Sequence, residues 1–324
     1  MGKTIRIGTR ESQLAVWQAT KVQQLLAQNN YTSELVYIKS EGDIDLQTPL
    51  YEMGVQGIFT KSLDIALLTN KIDIAVHSMK DVPTQLAKGI VQSAVLERAS
   101  YKDLLVYKDS SVVNGEWSMV NEEPEKFESL FTPHASRLTI ATSSIRRKAQ
   151  WLNRFPNHTL ENLRGNVNTR LRKVAESTWD GAIFAAAGLE RINLRPQNSI
   201  ELDWMLPAPA QGAIMVVCRE GDEFASDACQ HFHHNDTAIC TKIERDFLRI
   251  LLGGCSTPIS ALAEVKEDTI IFKGNILSID GKEKVAVEKT IAIAEAPDFG
   301  KTAAEYLLAN GGQKIADGIR NAAK

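Results

Sequence analysis

Residues 73–84 read Asp-Ile-Ala-Val-His-Ser-Met-Lys-Asp-Val-Pro-Thr, and an apolar run within them stops abruptly at two adjacent charged residues, Lys80 and Asp81. The apolar residues of 72–76 have the pattern of an interior strand, and Pro83 prevents a helix from continuing directly through. We therefore expect Lys80 and Asp81 on a strand-end loop, where open α/β sheets bind ligands. An Asp beside a Lys stays ionised and can accept a proton or stabilise a cation, but the pair also fits a surface ion pair in a turn.

Two segments repeat the order strand, hydroxyl-rich loop and helix. Residues 5–12 lead into one predicted helix, and residues 138–147 lead into another. Ser12 and Ser144 are the predicted N-caps of these helices. A helix start presents unpaired backbone N–H groups and a positive dipole end, which together favour a bound anion, and the arginines beside both caps fit that use.

A second repeated pair consists of a helix that runs into a strand beginning at an aspartate. Residues 61–70 precede the strand that starts near Asp73, and residues 169–178 precede the strand that starts after Asp180. The two repeats predict two similar α/β domains that face each other, with the loops of both lining one cleft. Chance resemblance between short α/β units is the alternative.

The remaining segments complete a three-domain organisation. Residues 108–136 have little periodicity and are predicted to form a surface excursion from the second domain. Pro207 and Gly212 mark the place where the chain is expected to return to the first domain before a strand at 214–218. From Asp236 onward the pattern predicts a helix, three strands and two further helices, which form a small α+β domain. The predicted domains are residues 1–98 with 213–232, residues 102–207, and residues 235–324.

Composition places the chain among ordinary globular proteins. It has 324 residues, of which 44% are hydrophobic and 24% charged, and no apolar run approaches the roughly 18 residues of a membrane span. We therefore expect a cytoplasmic protein that does not enter a membrane. The four cysteines have no paired short spacing, which favours reduced thiols. Residues 229–240 contain two cysteines and three histidines, but without zinc-type spacing we expect no metal.

Charge is unevenly distributed along the chain. Residues 137–195 carry eleven basic residues, nine of them Arg, against four acidic ones, so that this segment has a charge of +7 in a chain of net charge -3. An excess of Arg over Lys suits bidentate binding of carboxylate or phosphate. A nucleic-acid surface is the competing interpretation, and the acidic remainder and the few aromatics among the arginines count against it.

A cysteine follows a pair of glycines in residues 253–258, Gly-Gly-Cys-Ser-Thr-Pro. The glycines end a predicted helix and leave the thiol of Cys255 accessible on a loop. A covalent attachment point, a nucleophile and a cysteine packed as a small hydrophobe all fit this pattern.

Two further glycine-containing segments carry candidate ligand-binding residues. Arg164 and Arg170 flank a glycine turn and a helix start, so both could reach one anion, although one of them could instead cover helix surface with its stem. Residues 54–59 fit a loop that opens and closes over a ligand, an RNA-clamping turn or a simple surface loop. Phe59 in that segment is either a core residue or a stacking ring.

Taken in order, these motifs resemble the porphobilinogen deaminase (hydroxymethylbilane synthase) family over nearly the whole chain. The residues that carry the resemblance are Thr9-Arg10-x-Ser12, residues 77–83, Thr142-Ser-Ser-x-Arg-Arg147, residues 163–170, Ala187-Gly-Leu-x-Arg191 and Gly253-Gly-Cys255.

The resemblance implies an enzyme that joins porphobilinogen units head to tail with release of ammonia, giving a linear tetrapyrrole on the route to haem. It implies a dipyrromethane cofactor in thioether linkage to Cys255, and a catalytic role for Asp81 with the pyrrole N–H groups and the cation left when ammonia departs. It also implies two periplasmic-binding-protein-like (type II) α/β domains with mixed sheets plus a small α+β C-terminal domain, in a monomer that binds a small-molecule substrate and no nucleic acid. The implied substrate-binding residues are Arg10, Ser12, Phe59, Lys80, Thr142, Ser143, Ser144, Arg146, Arg147, Arg164, Arg170 and Arg191.

Three positions depart from the family pattern. Gln56 stands where a lysine is usual in the mobile loop, Asn168 where a glycine is usual, and Gln13 where a proline is usual. Two other functions compete with the one that the resemblance implies. A reversible anion-binding module would leave Cys255 and the third domain without a role, and a nucleic-acid-binding protein would show steeply salt-dependent affinity.

Overall fold

The computed structural model describes residues 3–39, 60–108, 137–251 and 257–322. The strands, numbered along the chain, are β1 Ile5–Thr9, β2 Ser33–Tyr37, β3 Ile74–Ser78, β4 Ile90–Val95, β5 Asp103–Tyr107, β6 Thr139–Ala141, β7 Thr159–Glu161, β8 Gly181–Ala185, β9 Ser199–Glu201, β10 Ile214–Arg219, β11 Ile259–Lys266, β12 Thr269–Leu277 and β13 Lys284–Ala292. The α-helices are α1 Gln13–Gln28, α2 Lys61–Leu68, α3 Ile145–Arg154, α4 Val167–Glu176, α5 Ala186–Glu190, α6 Glu223–Gln230, α7 Asn235–Leu251, α8 Ala296–Leu307 and α9 Gln313–Ala322.

Two five-stranded mixed sheets share one topology. The first has the order β2-β1-β3-β10-β4, and the second has the order β7-β6-β8-β5-β9. In each sheet the first three strands are parallel, and the fourth, β10 or β5, is antiparallel to its neighbours. Each antiparallel strand follows a segment that arrives from the other sheet, so the chain crosses between the two domains twice, through residues 96–102 and 202–213.

The predicted repeat is visible at matching strand starts. Asp73 accepts a hydrogen bond of 2.9 Å from the backbone N–H of Arg6, and Asp180 accepts one of 2.7 Å from the backbone N–H of Thr139. The backbone N–H of each aspartate also donates to the carbonyl of that same partner residue. In both domains the aspartate therefore closes a ring with the neighbouring parallel strand, which confirms the duplicated design.

Each α/β sheet has an apolar core on both faces. In the first sheet, Ile5 and Ile7 pack with α1, whereas Ala75 packs with α2 on the opposite face. Gly8 is required in this layer, because a Cβ there would lie 2.2 Å from the side chain of Ile72. In the second sheet, Trp151 of α3 is fully buried on one face and Val174 of α4 is buried on the other.

The C-terminal part is an antiparallel sheet, β11-β12-β13, covered by α7, α8 and α9. The rings of Phe247 and Phe272 meet edge to face at a centroid distance of 5.1 Å in its core. The prediction of two α/β domains with mixed sheets and a small α+β C-terminal domain is therefore confirmed. The exact domain boundaries remain a prediction, and the 109–136 part of the predicted excursion lies outside the described residues.

Candidate active site

Lys80 and Asp81 lie where the sequence predicts, directly after β3. Residues Met79–Asp81 form one 3-10 turn that is anchored by the buried side chains of Met79 and Val82. Arg245 of α7 holds the following segment, donating hydrogen bonds of 2.9 Å to the carbonyl of Val82 and 2.6 Å to that of Pro83. Asp81 is exposed and Lys80 is half-buried, so the turn presents the carboxylate to the solvent side of the strand end.

A buried charge cluster lies beside Lys80. Asp103, the first residue of β5, accepts hydrogen bonds from Arg146 at 2.8 Å and from Arg147 at 2.7 Å. Burial opposes ionisation of Asp103, but the two guanidinium groups outweigh this effect and hold the pKa of the carboxyl well below its usual range. The side chain of Gln211 joins Asp103 to Lys80, at 2.8 Å and 3.2 Å respectively.

Burial lowers the pKa of the Lys80 ammonium to about 8, and the nearby guanidinium groups of Arg147 and Arg146 act in the same direction. The carboxylates of Asp81 and Asp103 act in the opposite direction. The ammonium of Lys80 is therefore easier to deprotonate than that of an exposed lysine.

Arg146 and Arg147 are more enclosed than a surface binding residue. Arg146 also donates to the carbonyl of Leu206 at 2.7 Å, and Arg147 donates to that of Ile183 at 2.8 Å. Both side chains are buried. Within the described part of the chain, the Nε–H of Arg146 is buried with no hydrogen-bond partner, so this group still has a donor to offer.

Three helices begin at this edge with a capped N-terminus. Ser12 accepts a hydrogen bond of 3.4 Å from the N–H of Ala15, and Ser144 accepts one of 3.4 Å from that of Arg147. These contacts confirm the two predicted caps. The third helix, α4, is capped by Asn166, whose side chain accepts a hydrogen bond of 2.9 Å from the N–H of Thr169.

The hydroxyl groups of the loop after β6 are held in place by the backbone. Ser143 accepts a hydrogen bond of 2.9 Å from the N–H of Leu163, and Thr142 accepts one of 3.2 Å from that of Ser144. A hydroxyl that accepts a hydrogen bond can still donate its own proton. The hydroxyl groups of Ser143 and Thr142 can therefore still donate to an anion bound at this loop.

The charges of Asp81 and Arg164 both act on the guanidinium of Arg170. Arg170 is half-buried, and its Nε donates to the carbonyl of Gly165 at 2.7 Å. Burial lowers the pKa of Arg170 to about 10, Arg147 and Arg164 act in the same direction, and Asp81 opposes them. Arg164 is buried. The structure thus brings cations of the second domain near the carboxylate of the first.

Arg191 and Arg10 complete the described part of the predicted set. Arg191 donates to the carbonyl of Gly212 at 2.6 Å, and its guanidinium lies 5.7 Å from the ring centroid of Trp17 in α1. Burial lowers the pKa of Arg191 to about 10. Arg10 follows β1 and interacts electrostatically with His77, whose pKa is lowered to about 4, first by burial and then by this charge.

Three of the sequence predictions fall on other parts of the chain. Phe59 with the loop 54–59, Gln56 and Cys255 all lie outside the described residues. Over the described ranges, no three His, Cys, Asp or Glu residues are grouped as a metal site would require. No helix of those same ranges is long and apolar enough to cross a membrane.

Two residues at the centre of the cluster were not predicted from the sequence. Asp103 begins an apolar strand, and Asp73 directly precedes another. This similarity in sequence could have indicated a structural role for Asp103. Gln211 lies between Ala210 and Gly212 in the predicted crossing. A single amide among small apolar residues is a weaker indication of a functional residue. Their importance appears only when the two crossing segments meet.

The family models and the curated relatives that match this chain point to the same family. The family model described as "Porphobilinogen deaminase, dipyromethane cofactor binding domain" matches residues 5–227, and "Porphobilinogen deaminase, C-terminal domain" matches residues 238–309. The chain is 40% identical to the porphobilinogen deaminase of Syntrophotalea carbinolica, covering 96% of this chain and 94% of that protein. It is 39% identical to the probable porphobilinogen deaminase of Methanocaldococcus jannaschii, covering 92% of this chain and 97% of that protein.

Among solved structures, the Bordetella pertussis BvgS VFT2 domain is similar at a TM-score of 0.39 and 11% identity, covering 70% of this chain and 85% of that chain. The two family models together span both α/β domains and the C-terminal sheet, and the curated relatives match almost from end to end. The chain belongs to the porphobilinogen deaminase family.

Proposed function

We propose that this chain is a hydroxymethylbilane synthase, a transferase that condenses porphobilinogen head to tail into a linear tetrapyrrole and releases ammonia at each addition. The observation that carries the proposal is the position of Asp81. It is an exposed carboxylate at the end of a parallel strand, and Lys80, Arg170 and the cluster around Asp103 lie beside it. The family membership of the chain supports the same activity.

The cations at this edge suit the acids of the substrate. Each pyrrole unit brings two carboxylates, and each charge-assisted hydrogen bond to a partly shielded carboxylate contributes about 1.5–3 kcal/mol. The unpaired Nε–H of Arg146, noted above for the described residues, is one donor that such a carboxylate would satisfy. The other proposed carboxylate ligands are Arg10, Ser12, Lys80, Thr142, Ser143, Ser144, Arg147, Arg164, Arg170 and Arg191, with Phe59 proposed to contact the substrate from outside the described residues.

Asp81 is proposed as the group that handles the reaction's positive charge. Its carboxylate can accept hydrogen bonds from pyrrole N–H groups and stabilise the charge that develops on the porphobilinogen unit as ammonia leaves. Lys80 next to it remains protonated below pH about 8, so it can bind a carboxylate of the same unit. The two neighbours would then fix opposite charges of one substrate molecule.

The cofactor binding domain of the family model covers both helix starts and the Asp103 cluster. The observed donors, namely capped helix starts, hydroxyl groups and an unsatisfied guanidinium N–H, fit an acid-bearing dipyrromethane. Such a group, if held by a thioether to Cys255, would supply the pyrrole end that accepts the incoming unit. We propose Cys255 for this attachment because it follows Gly253-Gly254 in the family pattern.

We also propose that the enzyme is a cytoplasmic monomer that does not bind nucleic acid. The activity is tested by incubating the purified holoenzyme with porphobilinogen and measuring ammonia release together with the formation of linear tetrapyrrole. We expect both products in parallel. Reversible binding of porphobilinogen without ammonia release would instead identify an anion-binding module.

A further inference from the structure

The side chain of Gln211 joins charged residues of two domains. It is fully buried, and its Oε1 accepts a hydrogen bond of 3.2 Å from the ammonium of Lys80. Its Nε2 donates to the carboxylate of Asp103 at 2.8 Å and to the carbonyl of Tyr101 at 2.8 Å. The reversed amide would place an NH₂ group against the ammonium and an oxygen against the carboxylate, so the charges on either side determine its orientation.

The backbone around Gln211 is held in one unusual conformation. Ala210 has a φ of 61° and Gly212 a φ of 89°, both in the left-handed region. A Cβ at Gly212 would lie 2.6 Å from the carbonyl oxygen of Ala99, so the two crossing segments touch here without room for a side chain. A left-handed alanine persists only where its surroundings over-determine it, which indicates that the position of Gln211 is constrained.

Two partners from other elements fix the same turn. Arg98 donates from its Nε to the carbonyl of Gln211 at 2.8 Å. Glu244 of α7, which is fully buried, accepts a hydrogen bond of 2.6 Å from the N–H of Ala210 and one of 2.6 Å from Arg98. Both crossings and the C-terminal domain therefore converge on this residue.

We propose that Gln211 is a positioning residue, which holds the Lys80 ammonium beside Asp81 and connects it to Asp103. The cations of the two α/β domains then keep a fixed position relative to each other and to the growing chain. This inference rests on the proposed function and deepens it. Gln211 does not act on the substrate itself, since its side chain is enclosed and each of its polar atoms meets a protein group.

The amide also affects the charge of Lys80. Asp81, Asp103, Arg146 and Arg147 are among the charged groups that act on this ammonium. The Gln211 oxygen stabilises the protonated form, because a hydrogen bond that requires the ammonium proton favours the charged state. Replacing the amide with an apolar group of similar length removes this hydrogen bond and should make the Lys80 proton easier to lose.

The test compares Gln211→Met, Lys80→Met and the double variant as holoenzymes, with cofactor content checked by intact mass and folding checked by thermal unfolding. Ammonia release from porphobilinogen is measured across the alkaline pH range. We expect Gln211→Met to lower kcat/KM by about 10- to 100-fold, the range for a lost hydrogen bond to a charged group. The alkaline limb of its pH profile should move to lower pH than in the wild type.

The double variant distinguishes positioning from general stability. If Gln211 acts through Lys80, the double variant should have a kcat/KM within about twofold of Lys80→Met alone. Gln150→Met is the matched control, because Gln150 is also buried and donates to Leu206 at 2.9 Å and to Ser260 at 3.0 Å without contacting Lys80. We expect this control to lose stability while keeping its pH profile. If Gln211→Met does not fold, Gln211→Asn takes its place, since the shorter amide cannot span both partners.

The positioning role would be overturned if the kcat/KM of the double variant fell by the product of the two single-variant losses. It would also be overturned if Gln150→Met moved the alkaline limb of the pH profile as far as Gln211→Met does. The wild-type arm separates this inference from the proposed function. A wild-type holoenzyme that releases no ammonia from porphobilinogen would refute the function itself, whereas an active wild type with an unchanged Gln211→Met would refute only the role of Gln211.

Discussion

The side chain of Asn168, at the start of α4, donates a hydrogen bond of 2.9 Å to the side chain of Gln13, at the start of α1. The two residues lie in different α/β domains, one at each of two capped helix starts. The contact needs an amide donor on one side and an amide oxygen on the other. The bond therefore links the starts of α1 and α4 across the two domains.

Breaking that link should have a small effect that is shared by both residues. Gln13→Ala and Asn168→Ala should each remove the same exposed hydrogen bond, worth about 0.5 kcal/mol. A double-mutant cycle in chemical unfolding should give a coupling free energy of that size, since the cycle cancels the separate helix-propensity effects. Strictly additive free energies of unfolding would mean that the two side chains do not interact in solution.

Asp81→Asn should remove most of the turnover while leaving the fold intact. The amide is nearly isosteric with the carboxylate but cannot carry the negative charge that opposes a developing cation, so kcat should fall by about 100-fold or more. Substrate binding should change much less, because the cations that hold the carboxylates remain. Steady-state kinetics check this, with exposed Asp298→Asn as the control, and a fully active Asp81→Asn enzyme would remove Asp81 from the mechanism.

Asp103→Asn should destabilise the protein strongly. The substitution leaves the buried guanidinium groups of Arg146 and Arg147 without their anion, and breaking a buried ion pair in this way costs about 3–5 kcal/mol. Urea unfolding at neutral pH measures the difference. A change below about 1 kcal/mol would show that the two arginines have other anionic partners.

The stability of the protein should fall as pH decreases from about 6.5 toward 4 because of His77. Burial lowers the pKa of His77 in the folded protein to about 4, so between these pH values the unfolded chain binds the proton more readily than the folded one. The free energy of unfolding should therefore fall by on the order of 2–3 kcal/mol across this range. Replacing His77 with Asn should flatten this part of the stability profile, whereas His231→Asn, at an exposed position, should not. Identical slopes for wild type and His77→Asn would contradict the assignment.

The local features of the site could be predicted from the sequence, because they depend on neighbouring residues. The strand that ends before Lys80, the caps Ser12 and Ser144, and the paired aspartates Asp73 and Asp180 all follow from patterns within short segments. Each of these was confirmed.

The centre of the cluster could not be predicted in the same way. Asp103 lies 43 residues from Arg146 and 108 residues from Gln211 along the chain. These residues meet only because each crossing segment enters the other domain beside the carboxyl ends of its parallel strands. No local periodicity carries that information, and the burial of Arg146 and Arg147 was missed for the same reason.

If these cations hold a sulfur-linked oligopyrrole beside Asp81, the intact mass of the purified protein shows it most directly. Protein made in cells that synthesise porphobilinogen should exceed its sequence mass by one dipyrromethane, and Cys255→Ala should show no excess and no turnover. An unmodified wild-type protein that still forms the tetrapyrrole at full rate would contradict the claim.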